Sequence, residues 1–241
     1  MSDRRLPGSD LRALLRPAIS TVSSPQVLAE DLVPVLLASA GPGAVVVDLG
    51  CGRGDSVDIF GAADPTVRWI GVDLPDSAEA AMRTRTDAEF RTFDGLHLPL
   101  DDGSVDVVFC KQVLEHVELP HSLLQDVARV LRPGGRFAGS TSQLEPFHSR
   151  STGNWTPYGL QRLFAHSGLE AELFVPGIDA VSLLGYVVTR GRRFNRWWSQ
   201  RSPFNGLVDG VGRVLGWDAE DRTTVKLQFA GQFAFIARRL P

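Results

Sequence analysis

Residues 45–55 read Val-Val-Val-Asp-Leu-Gly-Cys-Gly-Arg-Gly-Asp, and this stretch decides the fold. Its apolar first half predicts a buried strand, and the glycines at 50, 52 and 54 predict a tight turn leading into a helix near Asp55. Such a turn lets the backbone approach a ligand closely, and the helix N-terminus offers free N–H donors. The spacing differs from the G-x-G-x-x-G of dinucleotide sites and lacks the Gly-Lys-Ser/Thr ending of a P-loop. The sequence therefore predicts a ligand-binding turn of another kind.

The rest of the chain alternates between strand-like and helix-like stretches. Apolar runs occupy residues 67–72, 105–110, 136–139 and 169–175, and helix-like stretches occupy 76–85, 120–131 and 156–167. Continuous apolar runs are typical of strands buried on both faces of a parallel sheet, connected by right-handed crossovers. Residues 225–229 and 232–237 predict two closing strands separated at Gly231. Together these patterns predict an α/β fold.

The composition excludes several classes of protein. The 241 residues suit one α/β domain with an elaboration, and the two cysteines supply neither a disulfide framework nor a four-cysteine zinc site. Residues 1–150 carry 14 basic against 21 acidic side chains, residues 151–241 carry 11 against 7, and the net charge of −3 argues against nucleic acid as a partner. The first 30 residues lack an apolar run of signal-peptide length, and no apolar window is long enough for a membrane span. We therefore expect a cytoplasmic protein without a transmembrane segment.

Four further motifs follow the glycine turn in order. Residues 69–73 end a predicted strand on Asp73, where an acid can accept both hydroxyls of a ribose; its alternative role is to cap the next helix. Asp94-Gly95, the stretch Lys-Gln-Val-Leu-Glu-His-Val at 111–117 and the stretch Arg-Val-Leu-Arg-Pro-Gly-Gly at 129–135 complete the series. The series resembles the class I S-adenosylmethionine-dependent methyltransferases, specifically the type 11 group, which includes many small-molecule methyltransferases.

The resemblance covers about residues 43–141 and implies a fold and a cofactor. The implied fold is Rossmann-like: a mostly parallel seven-stranded sheet with helices on both faces and an antiparallel edge strand. The implied cofactor is S-adenosyl-L-methionine, with S-adenosyl-L-homocysteine as product. The resemblance assigns the methionine part to the glycine turn, the ribose to Asp73 and the adenine to Asp94. The implied cofactor-binding residues are Asp48, Gly50, Cys51, Gly52, Gly54, Asp73, Leu74, Asp94, Gly95, Leu96, Lys111 and Gln112.

Two histidines are candidates for the general base that an alcohol acceptor needs. His116 follows the strand at 105–110, on the side where open α/β sheets bind ligands, and His148 follows the strand at 136–139, near Glu145. His116 has a structural alternative at the start of a helix, and His148 has one as a solvated loop residue. The remaining histidines are interpreted as surface residues: His97, His121 and His166. No metal is expected, since the sequence holds no His-x-His, His-x-x-x-His or clustered acidic motif.

We expect four parts in the chain: a helical N-terminal cap at 1–40 that Pro34 kinks, the cofactor-binding core at 41–176, an insertion or lid over the acceptor site at 177–222, and closing strands at 223–241. Residues 190–201 of the third part hold five arginines and three aromatic residues without an acid. This composition suits a lid, a peripheral contact with a membrane surface, or a site for an anionic substrate. Its alternative is a cap with solvated arginines.

Three functions stay open on these residues. The first is methyl transfer to a hydroxyl of a small molecule, such as a sugar or a glycosylated natural product. The second is C-methylation of a prenylated quinone or another lipid at the membrane surface, as the arginine- and tryptophan-rich segment suggests. The third is a binding protein that keeps the fold without turnover, against which the intact cofactor motifs argue. Methylation of nucleic acid is disfavoured, because the Asn/Asp-Pro-Pro-Tyr/Phe motif is absent.

Overall fold

The computed structural model describes residues 9–20, 26–145, 149–191, 197 and 202–241. His148 and most of residues 190–201 lie outside these described residues. The described part forms a seven-stranded sheet in the order β3-β2-β1-β4-β5-β7-β6. The strands are β1 (Val45–Leu49), β2 (Arg68–Asp73), β3 (Glu89–Thr92), β4 (Val105–Lys111), β5 (Leu131–Ser142), β6 (Leu169–Pro176) and β7 (Gln232–Arg239).

The sheet is parallel except for one strand. β1 to β5 pair in parallel, and β7 runs antiparallel between β5 and β6. The fold class expected from the sequence is thus confirmed, with the antiparallel strand one place in from the β6 edge. The apolar run of β1 explains the buried sheet, because Val46 belongs to the core on one face and Val47 to the core on the other.

Helices cover both faces of this sheet. They are α1 (Ser9–Leu15), α2 (Val33–Ala40), α3 (Ser56–Ala63), α4 (Ala78–Ala81), α5 (Pro120–Val130), α6 (Pro157–His166), α7 (Ala180–Val188), α8 (Pro203–Val214) and α9 (Ala219–Gln228). Core residues of α5 and α6 pack on one face, and those of α2 and α3 pack on the other. Helix α6 begins as predicted, because Thr156 Oγ1 accepts from Gly159 N at 3.0 Å and Pro157 occupies the first turn.

Two predictions about the ends of the chain are wrong. The segment 225–229, expected to be a strand, lies mostly in the last turn of α9. Asp218 caps that helix by accepting from Asp221 N at 2.7 Å, and the helix buries Thr223 and Leu227 four residues apart. Pro34 does not kink a helix interior, because it lies in the first turn of α2, where its missing N–H has no intrahelical partner to lose. A 3-10 turn at Ala29–Leu32 precedes it.

Two further differences lie next to the glycine turn. The helix expected at 76–85 is only the single turn α4, since the chain after it turns back to place Arg83 and Arg85 on the glycine turn. Strand β3 was missed because its four residues, Glu-Phe-Arg-Thr, lack an apolar run; three are half-buried and Thr92 is exposed. Both differences affect the site.

The N-terminal helix is tied to the C-terminal part of the chain. Arg16 Nε lies 3.1 Å from Glu220 Oε1 on α9, and Arg12 forms an ion pair with Asp221. The boundary expected at 222/223 falls inside α9. Within the described ranges, no helix combines the length and the apolar character that crossing a membrane requires.

Candidate active site

The candidate site lies at the carboxyl ends of β1, β2 and β4. The chain passes from β1 outward to β2 and β3, then crosses to β4 on the other side of β1. At such a switch point the connections diverge and leave a crevice outside the strand ends. The glycine turn leaves β1 into this crevice, Asp73 ends β2, and Lys111 ends β4.

The glycines at 50, 52 and 54 are required by the backbone and by packing. Their φ angles of +73°, +51° and +84° lie in the region that favours glycine. A Cβ added at Gly50 would overlap the side chain of Val113, and one at Gly54 would lie 2.8 Å from the Phe90 ring. The turn is therefore fixed against the segment after β4 and against β3.

Asp73 joins the glycine turn to the end of β2. Its carboxylate accepts from Gly52 N at 2.6 Å and from Leu74 N at 2.8 Å, and the residue is 7% exposed. The alternative role as a helix cap is wrong, because Ser77 Oγ caps α4 by accepting from Ala80 N at 3.1 Å. The acid thus lies against the glycine turn.

Arg83 and Arg85 hold the turn from outside. Arg83 donates to Gly52 O from Nε at 3.0 Å and from Nη2 at 2.6 Å, and its guanidinium lies 3.8 Å from the centre of the Phe90 ring. Arg85 donates to Gly54 O at 3.1 Å and pairs with Asp58 and Asp87. Sequence reasoning missed both arginines, because two basic residues in a presumed helix look like solvated ones.

Asp48 is a buried carboxyl beneath the turn. It accepts from Ser56 Oγ, which in turn accepts from Trp69 Nε1 at 2.9 Å. Burial raises the pKa of Asp48 to about 7, against the hydrogen bond from Ser56, which lowers it. The negative charge of Asp73 raises this pKa further, and the positive charge of Lys111 lowers it.

Lys111 connects the end of β4 to the N-terminal cap. Its ammonium pairs with Glu30, which lies in the 3-10 turn that precedes α2. The two side chains are 51% and 22% exposed, so solvent screens much of their attraction. The contact places the cap beside the crevice, next to one of the predicted cofactor-binding residues.

A buried polar network follows β4, centred on Glu115. Glu115 is 1% exposed and accepts from Thr141 Oγ1 and Ser142 Oγ, each at 3.0 Å. Gln112, which has a φ of +55°, fits when its amide nitrogen donates to Glu115 Oε1 at 2.8 Å and its oxygen accepts from Ser140 Oγ at 3.0 Å. Sequence reasoning missed this network. Its signal is the Ser-Thr-Ser run at the carboxyl end of β5, directly after Phe-Ala-Gly.

Asp94, Gly95 and Leu96 form a turn beside the end of β2. Asp94 accepts from Leu96 N at 2.8 Å and from His97 N at 2.7 Å, and it pairs with His97 Nδ1 at 2.8 Å. The hydrogen bond from His97 lowers the pKa of Asp94, and the same contact raises the pKa of His97. A Cβ built on Gly95 would lie 3.6 Å from Leu74 Cδ2, so this turn lies beside the residue that follows Asp73.

His116 and the cysteines complete the set of predicted residues. His116 is half-buried at the end of the 3-10 turn Leu114–His116, and its N–H donates to Val113 O at 2.9 Å. Burial raises the pKa of Cys51 to about 12, which keeps it a thiol at neutral pH, and burial also raises the pKa of Cys110. Among the residues that the structure describes, no three His, Cys, Asp or Glu side chains cluster as a metal site would require.

Residues 47–139 match the family model Methyltransf_11, described as a methyltransferase domain. The matched region is similar to the class I S-adenosylmethionine-dependent methyltransferases. The match covers the glycine turn, Asp73, the Asp94 turn, Gln112 and Glu115, and it ends just before the Ser-Thr-Ser run that binds Glu115. The cofactor of this methyltransferase domain is S-adenosylmethionine.

Relatives extend the methyltransferase assignment over more of the chain. A probable S-adenosylmethionine-dependent methyltransferase of Mycolicibacterium smegmatis is 35% identical over 154 residues, which cover 59% of this chain and 58% of that protein. An uncharacterized methyltransferase of Mycolicibacterium gilvum is 35% identical over 131 residues, covering 52% of this chain and 50% of that protein. The chain therefore spans little more than half the length of these curated relatives.

Solved structures share the methyltransferase fold. Geranyl diphosphate C-methyltransferase from Streptomyces coelicolor A3(2), in complex with Mg2+, geranyl diphosphate and S-adenosyl-L-homocysteine, has a TM-score of 0.57 at 20% identity. The alignment covers 88% of this chain and 79% of that chain. At this level of identity the likeness is one of fold, and the reaction has to be argued from the site.

Proposed function

We propose that the chain transfers a methyl group from S-adenosylmethionine to a hydroxyl of a small molecule, with a sugar or a glycosylated natural product as acceptor. The observation that carries methyl transfer is the 2.6 Å contact between Asp73 and Gly52 N. This contact joins a backbone-lined turn to a carboxylate suited to a ribose diol, at the switch point of the sheet. The family match covers both partners of the contact.

The residues at the crevice fit the cofactor. Each carboxylate oxygen of Asp73 accepts one backbone N–H, which leaves acceptor capacity on both oxygens for two ribose hydroxyls. Asp48 is buried and poorly solvated, so a cationic group bound near it would favour its ionised form. S-adenosylmethionine is such a cation, and when bound it supplies an electrophilic methyl group on a sulfonium sulfur.

The chain's own tasks are to align the acceptor oxygen and to remove its proton. His116 and His148 are the proposed bases, since a neutral imidazole can accept a hydroxyl proton near pH 7. Glu115 acts as a positioning residue for His116, because its carboxylate is anchored by Thr141 and Ser142 while its carbonyl accepts from Thr152 N at 2.7 Å. These contacts fix the backbone next to His116.

C-methylation of a prenylated quinone or another lipid is the second candidate. It is favoured by the exposed apolar residues of α7, among them Leu184 at 64% exposed and Val188 at 73% exposed. A water-soluble sugar acceptor gives such residues no role. The two candidates share the cofactor residues and differ in the acceptor.

The test of the cofactor site is a calorimetric titration with S-adenosylhomocysteine. Asp73→Ala should bind about 10- to 150-fold more weakly, because hydrogen bonds to a charged group contribute about 1.5–3 kcal/mol. Asp76→Ala is the matched control, since it removes an exposed acid from the same connection. An affinity of Asp73→Ala within about twofold of the wild type would show that Asp73 does not hold the ribose.

The test of the acceptor uses methyl-labelled S-adenosylmethionine and a cell extract, with Asp73→Ala as the blank. Label in the aqueous fraction supports the hydroxyl acceptor, and label in the lipid fraction supports the second candidate. Label in neither fraction, from protein that still binds S-adenosylhomocysteine, contradicts methyl transfer to a small molecule. If His116→Ala and His148→Ala each keep full activity from about pH 6 to 9, neither histidine is the base.

A further inference from the structure

The exposed side of α7 is apolar. The exposed positions of this helix are Val181, Leu184, Val187 and Val188, which are 55%, 64%, 60% and 73% exposed. The buried positions Ser182 and Leu183 face the protein. A surface helix ordinarily presents charged and polar residues to solvent, so α7 has the reverse of the usual pattern on its outer side.

Helix α8 repeats this pattern. Its exposed apolar residues recur at helical spacing, and its one acid, Asp209, is drawn to the α9 side by Lys226 at 2.9 Å and Arg222 at 3.5 Å. The exposed apolar residues of α8 and of the residue after it are Leu207, Val211, Val214 and Leu215. We call the four exposed apolar residues of α7 together with these four the α7–α8 face.

Phe229 contacts the start of each of the two helices. The N–H of Ala180 at the start of α7 donates to Phe229 O at 2.8 Å, and the Phe229 ring contacts the ring of Phe204, in the first turn of α8, at 5.9 Å between centroids. Phe229 is itself 48% exposed. Its neighbour along the chain, Ala230, accepts from Gln143 Nε2 at 3.1 Å, just beyond the carboxyl end of β5. The α7–α8 face therefore lies beside the end of the sheet that carries the candidate active site.

The charge of this part of the chain identifies what can cover the face. Residues 180–208 contain no Asp or Glu, and residues 190–201, which join the two helices, contain five arginines. Among the described residues, Arg190 just after α7 and Arg213 in the last turn of α8 are exposed. Two copies of the chain meeting through this face in a two-fold contact would bring the like charges of these two arginines into one interface. An anionic bilayer instead offers acyl chains to the apolar residues and negative headgroups to the arginines. Arginine and tryptophan are also the residues that favour a membrane interface.

We propose that the α7–α8 face docks the protein onto an anionic lipid surface. The apolar residues enter the boundary between headgroups and acyl chains, and the exposed Arg190 and Arg213 contact the headgroups. Docking of this kind presents the candidate active site to molecules held at the membrane. It requires no particular acceptor, because a lipid and a lipid-linked sugar would both be found there.

The test is co-sedimentation of the full chain with vesicles of phosphatidylcholine alone or of phosphatidylcholine mixed with phosphatidylglycerol. The wild type should pellet with the mixed vesicles, stay in solution with the neutral ones, and be released as salt is raised. Leu184→Ser with Val188→Ser should weaken binding by at least about tenfold, because two exposed apolar side chains no longer enter the bilayer. Val35→Ser with Ile59→Ser, which changes two exposed residues of α2 and α3, should bind like the wild type.

A second variant keeps the test independent of the apolar substitutions. Arg190→Gln with Arg213→Gln removes two exposed charges and should weaken binding to the mixed vesicles while leaving S-adenosylhomocysteine affinity unchanged. Equal pelleting of the wild type with both vesicle types, or full binding by the Leu184 and Val188 variant, would overturn the proposal. A concentration-dependent dimer that the same serines dissociate would also overturn it, since the face would then bind a second copy. S-adenosylhomocysteine affinity is measured on every sample, so failure of docking and failure of the cofactor site are read separately.

Discussion

Around the glycine turn and the end of β2, which we call the cofactor edge, polar side chains are hydrogen-bonded to the backbone of the turns, whereas on the α7–α8 face the exposed side chains are apolar. Asp73 and Arg83 both bind Gly52, one through its N–H and the other through its carbonyl oxygen. On α7 the exposed Leu184 adjoins the buried Leu183, with no polar residue between them. The hydrogen bonds of the first region therefore hold its backbone in one conformation. The second region is an exposed surface, and we expect the stability of the fold to be independent of its outer side chains.

The largest effect that we expect tests the buried charge at the cofactor edge. Because the folded pKa of Asp48 is about 7 and its ordinary value is 3.8, folding takes up a proton between these values. This group therefore stabilises the fold most at low pH, and that contribution is lost as pH rises to about 7. Asp48→Asn keeps an oxygen that can accept from Ser56 and removes the titration. The difference between the unfolding free energies of variant and wild type should grow by about 4 kcal/mol from pH 4 to pH 8 in the variant's favour.

Urea unfolding of both proteins across this pH range measures that difference. Exposed acids with lowered pKa values, such as Asp58 and Asp87, affect both proteins alike and cancel. A difference that stays constant with pH would mean that Asp48 is ionised in the folded protein at every pH tested. The cofactor edge would then tolerate a charge without a bound cation.

The next effect tests whether the fold depends on the outer side of α7. Leu183→Ala should lower the free energy of unfolding by about 3 kcal/mol, within the range for a buried leucine, because its side chain packs against Gly231. Leu184→Ala should change it by less than about 0.5 kcal/mol. Urea denaturation of the two variants measures both free energies of unfolding and so compares adjacent leucines of one helix. Equal losses would show that Leu184 is covered in solution and would undo the contrast between the two regions.

A smaller effect tests the packing of the glycine turn. Gly50 and Gly43 share a φ of +73°, but a Cβ at Gly50 would overlap Val113, whereas a Cβ at Gly43 would meet no atom within 4 Å. Gly43→Ala should therefore lower the free energy of unfolding only by the backbone strain, which is about 1 kcal/mol. Gly50→Ala should cost about 2 kcal/mol more and also weaken S-adenosylhomocysteine binding. Urea unfolding and S-adenosylhomocysteine titration of both variants distinguish backbone strain from the overlap with Val113. Identical results for the two variants would mean that the Val113 side chain moves aside freely.

This contrast also explains what the sequence could and could not predict. Strand β1, the turn after it and Asp73 were predictable, because apolar runs, glycines at fixed spacing and a strand-end acid leave local signals. Arg83 and Glu115 act through partners 31 and 26 residues away along the chain, Gly52 and Thr141, so no local pattern marks them. The α7–α8 face escaped for a related reason, since an apolar residue in a sequence is expected to be buried and only the tertiary structure reveals its exposure.

The smallest effect tests Arg83 against another arginine of the same turn. Arg83 presents two N–H groups to one carbonyl and stacks on Phe90, and a lysine has neither the fork nor the plane for this. Arg83→Lys should weaken S-adenosylhomocysteine binding about fivefold to tenfold, which corresponds to about 1 kcal/mol. Arg53→Lys is the control, since the side chain of Arg53 is 60% exposed and forms a salt bridge with the 75% exposed Asp55, so affinity should stay within about twofold.

Comparing the two arginine variants also distinguishes the ordering of the glycine turn from a general effect of positive charge. Both substitutions keep the positive charge at the turn, so a general electrostatic effect on the ligand would be the same in each variant. A selective loss in Arg83→Lys means that the ligand needs the carbonyl of Gly52 held in place, which keeps its N–H directed at Asp73. Equal affinities in the two variants would mean that Asp73 alone orders the turn, and the cofactor edge would then rest on fewer contacts than its hydrogen bonds suggest.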